Sequence, residues 1–264
     1  MERVKVVILC GGQGMRIREE TEFKPKPMIE IGNKPLLWHI MKHYAHYGFR
    51  DFVLCLGYKG EKIKQFFWEY EINNGDWTIE LGEKDRIIFH DGHREQGWKV
   101  TLAETGLDSM TGSRIKQIEK YIDTDLFMLT YGDGVSDVNL QKLLEFHREH
   151  GKIGTVTGVR PPSRFGELIV DGNRVRDFSE KPQTSDGYVS GGFFVFDKRM
   201  FKYVSADPGC IFERAPLEQL SVDQELMVYT HTGFWQCMDT IRDMNYLNEL
   251  WNSGNAPWKV WGEV

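Results

Sequence analysis

Cysteine is scarce in this chain of 264 residues, and the four present never stand close together. Cys10, Cys55, Cys210 and Cys237 form no CxxC pair, so neither a disulfide framework nor a cysteine-built zinc site is expected, and reduced thiols are. No apolar run approaches the roughly 20 residues that cross a bilayer. The opening residues pass straight into a strand pattern instead of a charged and apolar leader, so a cytoplasmic location is expected. Positive charge is not in surplus either: 33 Lys and Arg against 39 Asp and Glu leave a net charge of -6. A nucleic-acid or membrane-surface partner needs clustered cations, so a small-molecule partner is the better expectation. Repeats, low-complexity tracts and long linkers are also missing. With 41% hydrophobic and 13% aromatic residues, the chain can bury a substantial core. A single domain over 1–264 is expected, its part from about 197 onward adding helical and β pieces.

What is present is alternation. Residues 4–10 are an apolar, β-branched run ending at Gly11-Gly12 and predict a buried strand. Pro35 opens a helix over 35–47, a strand follows over 51–57, and an amphipathic helix over 59–70. Short strands are predicted at 77–81, 86–89 and 98–104, a helix at 111–122, a buried strand at 125–131 and a helix at 139–150. Strands at 153–159, 166–170, 174–178 and 188–196 come next. A helix at 211–220, a strand at 226–231 and a helix at 240–251 close the pattern. The βαβα order predicts an α/β fold, a Rossmann-like and mainly parallel sheet flanked by helices, with ligands at the carboxyl ends of the strands.

Four segments near such strand ends carry groups suited to phosphate chemistry. In Gly11-Gly12-Gln13-Gly14-Met15-Arg16 the glycines let a ligand approach backbone N–H groups, and the arginine adds a charged fork. The loop is neither GxxxxGK[ST] nor a complete GxGxxG, and taken alone it reads equally as a structural turn. Lys24-Pro25-Lys26-Pro27 presents two cations on a proline-stiffened segment, or else a solvated basic turn. Tyr131-Gly132-Asp133-Gly134 sets a carboxylate past a buried strand, where it suits a magnesium ion between phosphates; helix capping is the other use, which Asp137 serves better. Asp239, just before the last predicted helix, reads first as a cap. Trp251, Trp258 and Trp261 read as core before subunit contact.

Together these segments resemble the sugar-phosphate nucleotidyltransferases. Gly11-Gly12-x-Gly14-x-Arg16, Lys24-Pro25-Lys26-Pro27-Met28, Tyr131-Gly132-Asp133-Gly134 and Glu180-Lys181-Pro182 stand in the family's order. The branch that makes CDP-glucose and pyrophosphate from CTP and glucose 1-phosphate is the most similar, through the stretches at 34–41, 105–114, 131–137, 233–243 and 256–261. The resemblance implies magnesium as cofactor, with Asp133 and Asp239 as its ligands. It puts Leu9, Gly11, Gly12, Gln13, Gly14, Met15, Arg16 and Gly132 on the nucleotide, with Arg16, Lys26 and Asp133 as catalytic groups. Ser109, Thr111 and Arg114 would read the cytosine, while Glu180, Lys181 and Gly192 would hold the sugar and its phosphate. Members of the family often form hexamers or other homo-oligomers.

Three positions depart from the family's pattern: Met15 stands for threonine, Ser113 for glycine, and Ser190 for asparagine in the sugar region. Two rival readings follow. One is the same chemistry on another sugar 1-phosphate or nucleotide, and the other a non-catalytic nucleotide-sugar binder. An oxidoreductase on the same sheet lacks its dinucleotide fingerprint.

Overall fold

The computed structural model describes residues 3–14, 17–82, 86–90, 92–160, 167–171, 174–179 and 187–262. Seven strands make the central sheet: β1 (Lys5–Leu9), β2 (Asp51–Leu56), β3 (Lys99–Glu104), β4 (Leu126–Tyr131), β5 (Gly154–Val159), β6 (Val189–Asp197) and β7 (Leu226–His231). Their spatial order is β7-β5-β6-β4-β1-β2-β3. The longer helices are α1 (Leu36–His46), α2 (Gly60–Trp68), α3 (Thr111–Gln117), α4 (Leu140–His150), α5 (Ala215–Val222) and α6 (Ile241–Asn252), with short ones at Arg18–Thr21 and Tyr70–Asn74.

All five residues of β1 are buried, as a central parallel strand covered on both faces requires. Strand β1 pairs in parallel with β2 on one side and β4 on the other, Leu9 lying opposite Cys55 and Tyr131. The chain order reverses at β1, so a crevice opens between its carboxyl end and that of β4. The sheet is mainly parallel, as expected, and the exception is β6, antiparallel to both β5 and β4. An antiparallel neighbour needs no helical crossover, and the β5–β6 connection carries a hairpin instead, Glu167–Asp171 paired with Arg174–Ser179.

Most element boundaries fall within a few residues of the sequence reading. The helix expected over 59–70 divides into α2 and Tyr70–Asn74. That expected over 111–122 ends at Gln117 and tightens into a 3-10 turn at Glu119–Tyr121. The helix expected from 211 begins at Ala215, because Pro216 is accommodated in a first turn and not in a helix interior. A two-residue turn was overlooked: Gly32 and Asn33 have φ of 55° and 67° and join Glu30–Ile31 to Lys34–Pro35, the geometry of a primed hairpin turn.

Two caps differ from expectation, and both free an aspartate. Asn139, not Asp137, caps α4 by accepting from the Lys142 amide at 2.9 Å, while Asp137 meets His231 at 2.8 Å. Thr240 caps α6 in a reciprocal capping box with Asp243, whose Oδ2 also accepts the Asp239 amide at 3.0 Å. Asp239 is therefore not the cap.

The aromatic C-terminal segment is core, as expected for Trp258 and Trp261, with Trp251 half-buried. Helix α6 and this segment enclose His39 of α1, whose ring meets Trp251 edge-on at 4.6 Å. His39 Nε2 lies 2.8 Å from the Ile31 carbonyl, and Nδ1 accepts from Trp258 Nε1 at 3.4 Å. One turn on, His43 Nε2 lies 2.8 Å from the Val138 carbonyl. Burial pulls both imidazoles down to about 4 and keeps them neutral donors.

Their pKa values lie below that of an unfolded histidine, so the stability they give is present above about pH 6.5 and is lost as pH falls toward 4. Urea unfolding at pH 7 and pH 5 should differ by on the order of 2 kcal/mol per histidine. His43→Gln should remove that one histidine's share, about 2 kcal/mol, of the difference.

Candidate functional site

A cleft of about 690 Å³ opens over the carboxyl ends of β1 and β4. Its floor is the glycine loop. Gly14 has φ of 62°, and a Cβ there would lie 2.7 Å from Thr21, so only glycine sits there without strain. At Gly132 a Cβ would come within 2.8 Å of the Leu9 carbonyl and 2.9 Å of Pro27, and the Gly132 amide donates to that same carbonyl at 3.0 Å. This close approach brings the segments of Lys26 and Asp133 onto the end of β1.

Lys26 is where three distant segments meet. Its Nζ donates to Asp133 Oδ2 at 2.8 Å and to Asp239 Oδ1 at 2.6 Å. The 3-10 turn Lys26–Met28 buries Pro27 and Met28 and turns Lys26 inward. Lys24 does not join it: that ammonium pairs at the surface with Glu30, 3.4 Å away. The pair of cations read from the Lys-Pro-Lys-Pro segment therefore serves two different places. Burial works against the Lys26 charge, but the Asp133 carboxylate, the Cys237 sulfur and the two hydrogen bonds outweigh it and raise its pKa. Cys237 stands beside the pair, and ligand atoms of Asp133, Cys237 and Asp239 lie within 4.8 Å of one another. Burial, followed by the charge of Asp133, pushes the Cys237 thiol well up, so it is no ready thiolate.

Arg114 is more deeply engaged than the sequence reading expected. Its Nη1 donates to the carbonyls of Leu56 and Gly106 and to the Thr105 hydroxyl at 2.7–2.9 Å. Nη2 reaches the carbonyls of Gly11 at 3.1 Å and Leu107 at 3.2 Å. The guanidinium lies against Gly11 and Gly57, where a Cβ would fall 2.3 Å and 2.4 Å from its atoms. Arg114 touches the cleft, but its Nη donors are spent on tying the glycine loop to the ends of β2 and β3. Thr111 is likewise occupied, donating to Glu213 at 2.6 Å and accepting from the Phe212 amide at 2.9 Å. Of the three residues expected at the base, Ser109 alone lines the cleft with a side chain free of such a network, its Oγ accepting only from Gln117 at 3.2 Å.

Leu9, Gly11, Gly12, Gln13 and Gly14 line the cleft, with Leu107, Asp108 and Met110 on its far wall. Met15, Arg16, Glu180 and Lys181 lie outside the described residues. A second compartment of about 350 Å³ continues from the first and shares Asp133 and Asp239 with it. Tyr131, Ser190, Gly191, Glu213 and Trp235 are among its walls. Gly192 stands behind it, at φ 83°, where a Cβ would strike the Tyr131 ring at 2.6 Å. Glu213 and Cys237 were missed by sequence reasoning. Cys237 was visible only as a neighbour of Asp239, and Glu213 carried no motif at all.

The model of the nucleotidyl transferase family matches residues 5–235. The chain belongs to that family. Curated relatives extend the match: the glucose-1-phosphate cytidylyltransferases of Salmonella typhi and Salmonella typhimurium are each 46% identical over 259 residues, covering 98% of this chain and all of theirs. In the fold, HddC from Yersinia pseudotuberculosis superposes with a TM-score of 0.65 at 22% identity, over 94% of this chain and 99% of that one.

Since the Arg114 guanidinium cannot retreat without abandoning buried carbonyls, Gly57→Ala should cost about 1–3 kcal/mol of stability. It should also weaken nucleotide binding, because the displaced guanidinium would drag the glycine loop. Thermal unfolding together with calorimetric titration of CTP checks both.

Proposed function

We propose that this transferase joins CTP to α-D-glucose 1-phosphate, giving CDP-glucose and pyrophosphate. The observation that carries the reading is the pair of compartments meeting at Asp133 and Asp239, with Lys26 between the carboxylates. It is supported by the 46% identity to enzymes named for glucose 1-phosphate and cytidylyl transfer. The larger cleft takes the nucleotide over the glycine loop, and the smaller one takes the sugar. The reacting phosphates then meet where the two join.

The donor set suits a hard divalent ion: two carboxylate oxygens already converge on one cation, the Lys26 ammonium. Asp133 and Asp239 would hold magnesium, which supplies charge neutralisation between the two phosphate groups. The remaining work falls to the chain's own groups. Backbone amides of the glycine loop bind the triphosphate, and Arg16 and Lys26 offset the charge that gathers on the departing pyrophosphate. The sugar phosphate oxygen is ionised at neutral pH and attacks the α-phosphorus in line, so no general base is required. Ser109, which lines the cleft, would contact the base.

Release of pyrophosphate on mixing the protein with CTP, glucose 1-phosphate and magnesium tests the reading, with UTP, dTTP and GTP crossed against other sugar 1-phosphates for specificity. No release from any combination would leave a nucleotide-sugar binder. Asp133→Asn should lower kcat by on the order of a hundredfold or more while the protein still folds, as circular dichroism would show. Lys26→Ala should both weaken CTP binding and slow transfer.

A homo-oligomer is part of the same proposal. The hairpin of Trp77–Ile79 and Ile87–Phe89 exposes Ile79, Ile88 and Phe89, and a two-stranded hairpin has little stability without a supporting surface. Light scattering should give a mass above that of one chain, and Ile88→Glu should reduce it.

A further inference from the structure

The smaller compartment holds a charge that neither the family motifs nor Lys26 accounts for. Glu213 enters its wall from the loop before α5. Its Oε1 accepts the Tyr131 hydroxyl at 2.6 Å, and its Oε2 accepts the Thr111 hydroxyl at 2.6 Å. Thr111 is itself held by the Phe212 amide at 2.9 Å, so the carboxylate is anchored from two sides. The residue remains exposed to the compartment. Both anchors are neutral donors, and among the described residues no lysine, arginine or histidine lies within ion-pair distance of Glu213.

The contrast with the other two carboxylates of the compartment is chemical. Asp133 and Asp239 share the Lys26 ammonium and so face the ligand partly compensated. Glu213 has no such cation beside it among the described residues. An ionised carboxylate is an acceptor only, with about four lone-pair directions on its two oxygens. One donor on each leaves acceptor capacity pointing into the compartment. What such a group recognises is a neutral hydroxyl, which can donate; what it disfavours is a second anion, which cannot and which it repels. Tyr131 stays a donor throughout, because burial and then the Glu213 charge oppose its ionisation. Trp235, which also lines the compartment, is fixed by donating Nε1 to the Gly191 carbonyl at 2.8 Å, so its ring stands as a rigid apolar surface there.

We infer that Glu213 is a specificity-determining residue for the sugar: it accepts hydroxyl hydrogen bonds from a neutral hexose ring and excludes sugar 1-phosphates that carry a second acidic group, the uronic acid 1-phosphates. The assignment rests on the transferase reading above. It gives the two ends of the sugar substrate different environments, an end at the Lys26 ammonium for the phosphate and an anionic end at Glu213 for the ring.

The test is steady-state pyrophosphate release by the wild type, Glu213→Ala and Glu213→Gln, with CTP and either glucose 1-phosphate or glucuronic acid 1-phosphate. Removing a hydrogen-bonding charged partner should raise the KM for glucose 1-phosphate by about tenfold or more in Glu213→Ala, with the KM for CTP unchanged. In the isosteric Glu213→Gln, the ratio of kcat/KM for glucuronic acid 1-phosphate over glucose 1-phosphate should rise by about tenfold. That ratio would not move for a residue that merely braces Tyr131 and Thr111. Unchanged sugar KM and ratio, or a change confined to the KM for CTP, would overturn the assignment while leaving the transferase reading intact. A wild-type protein that releases no pyrophosphate from any pair overturns both. If Glu213→Ala does not fold, Glu213→Gln and Tyr131→Phe carry the comparison, Tyr131→Phe giving a smaller rise in sugar KM because one anchor remains.

Discussion

Lys26 sets its ammonium 2.8 Å from Asp133 and 2.6 Å from Asp239, residues 107 and 213 positions away in sequence, and so closes one end of the sheet across three segments. Two carboxylates whose oxygens converge would repel each other without a cation between them. The surroundings follow from that need. Gly132 must be bare for the Pro27 turn to approach the end of β1, and Thr240 must cap α6 so that Asp239 can turn inward. The same cation that holds this arrangement together is the natural partner of an entering polyphosphate. Stability and ligand attraction are therefore served by one group.

Arg114 does for the neighbouring strand ends what Lys26 does for the acidic pair. Its cation is buried among carbonyls, without a carboxylate partner among its hydrogen bonds. Five acceptors compensate the desolvation, and burial still lowers its pKa. The result is a rigid floor under the larger cleft, where Gly11 and Gly57 are glycine because a guanidinium fills the place of their side chains.

Much of this was legible from residues alone, for identifiable reasons. Strand β1 could be read because a central parallel strand is a near-continuous apolar run, Lys5 excepted, and α1 because its apolar residues Leu36, Leu37, Ile40, Met41 and Tyr44 fall at helical spacing. The site's glycines and Asp133 stand next to strand ends and Lys26 lies in a proline-braced segment, so local order marked them. Asp239 was misread from local pattern as a cap, because a capping box one residue further on looks much the same in sequence. Glu213 was illegible: it enters through a loop and gains its meaning only from Tyr131 and Thr111, 82 and 102 positions away. The roles expected of Thr111 and Arg114 illustrate the converse. A motif can mark residues near a ligand without telling which of them are spent on holding the others.

The late position of Asp239 also bears on how the molecule comes into being. A chain emerging from the ribosome amino end first presents the glycine loop, Lys26 and β1 early, and β4 with Asp133 by about the midpoint. Until α6 follows, Lys26 has one of its two carboxylates, and His39 lacks the edge contact with Trp251 and the hydrogen bond from Trp258. The nascent protein can thus form most of its sheet during translation, yet the acidic pair is assembled only once the segment leading into α6 has been made.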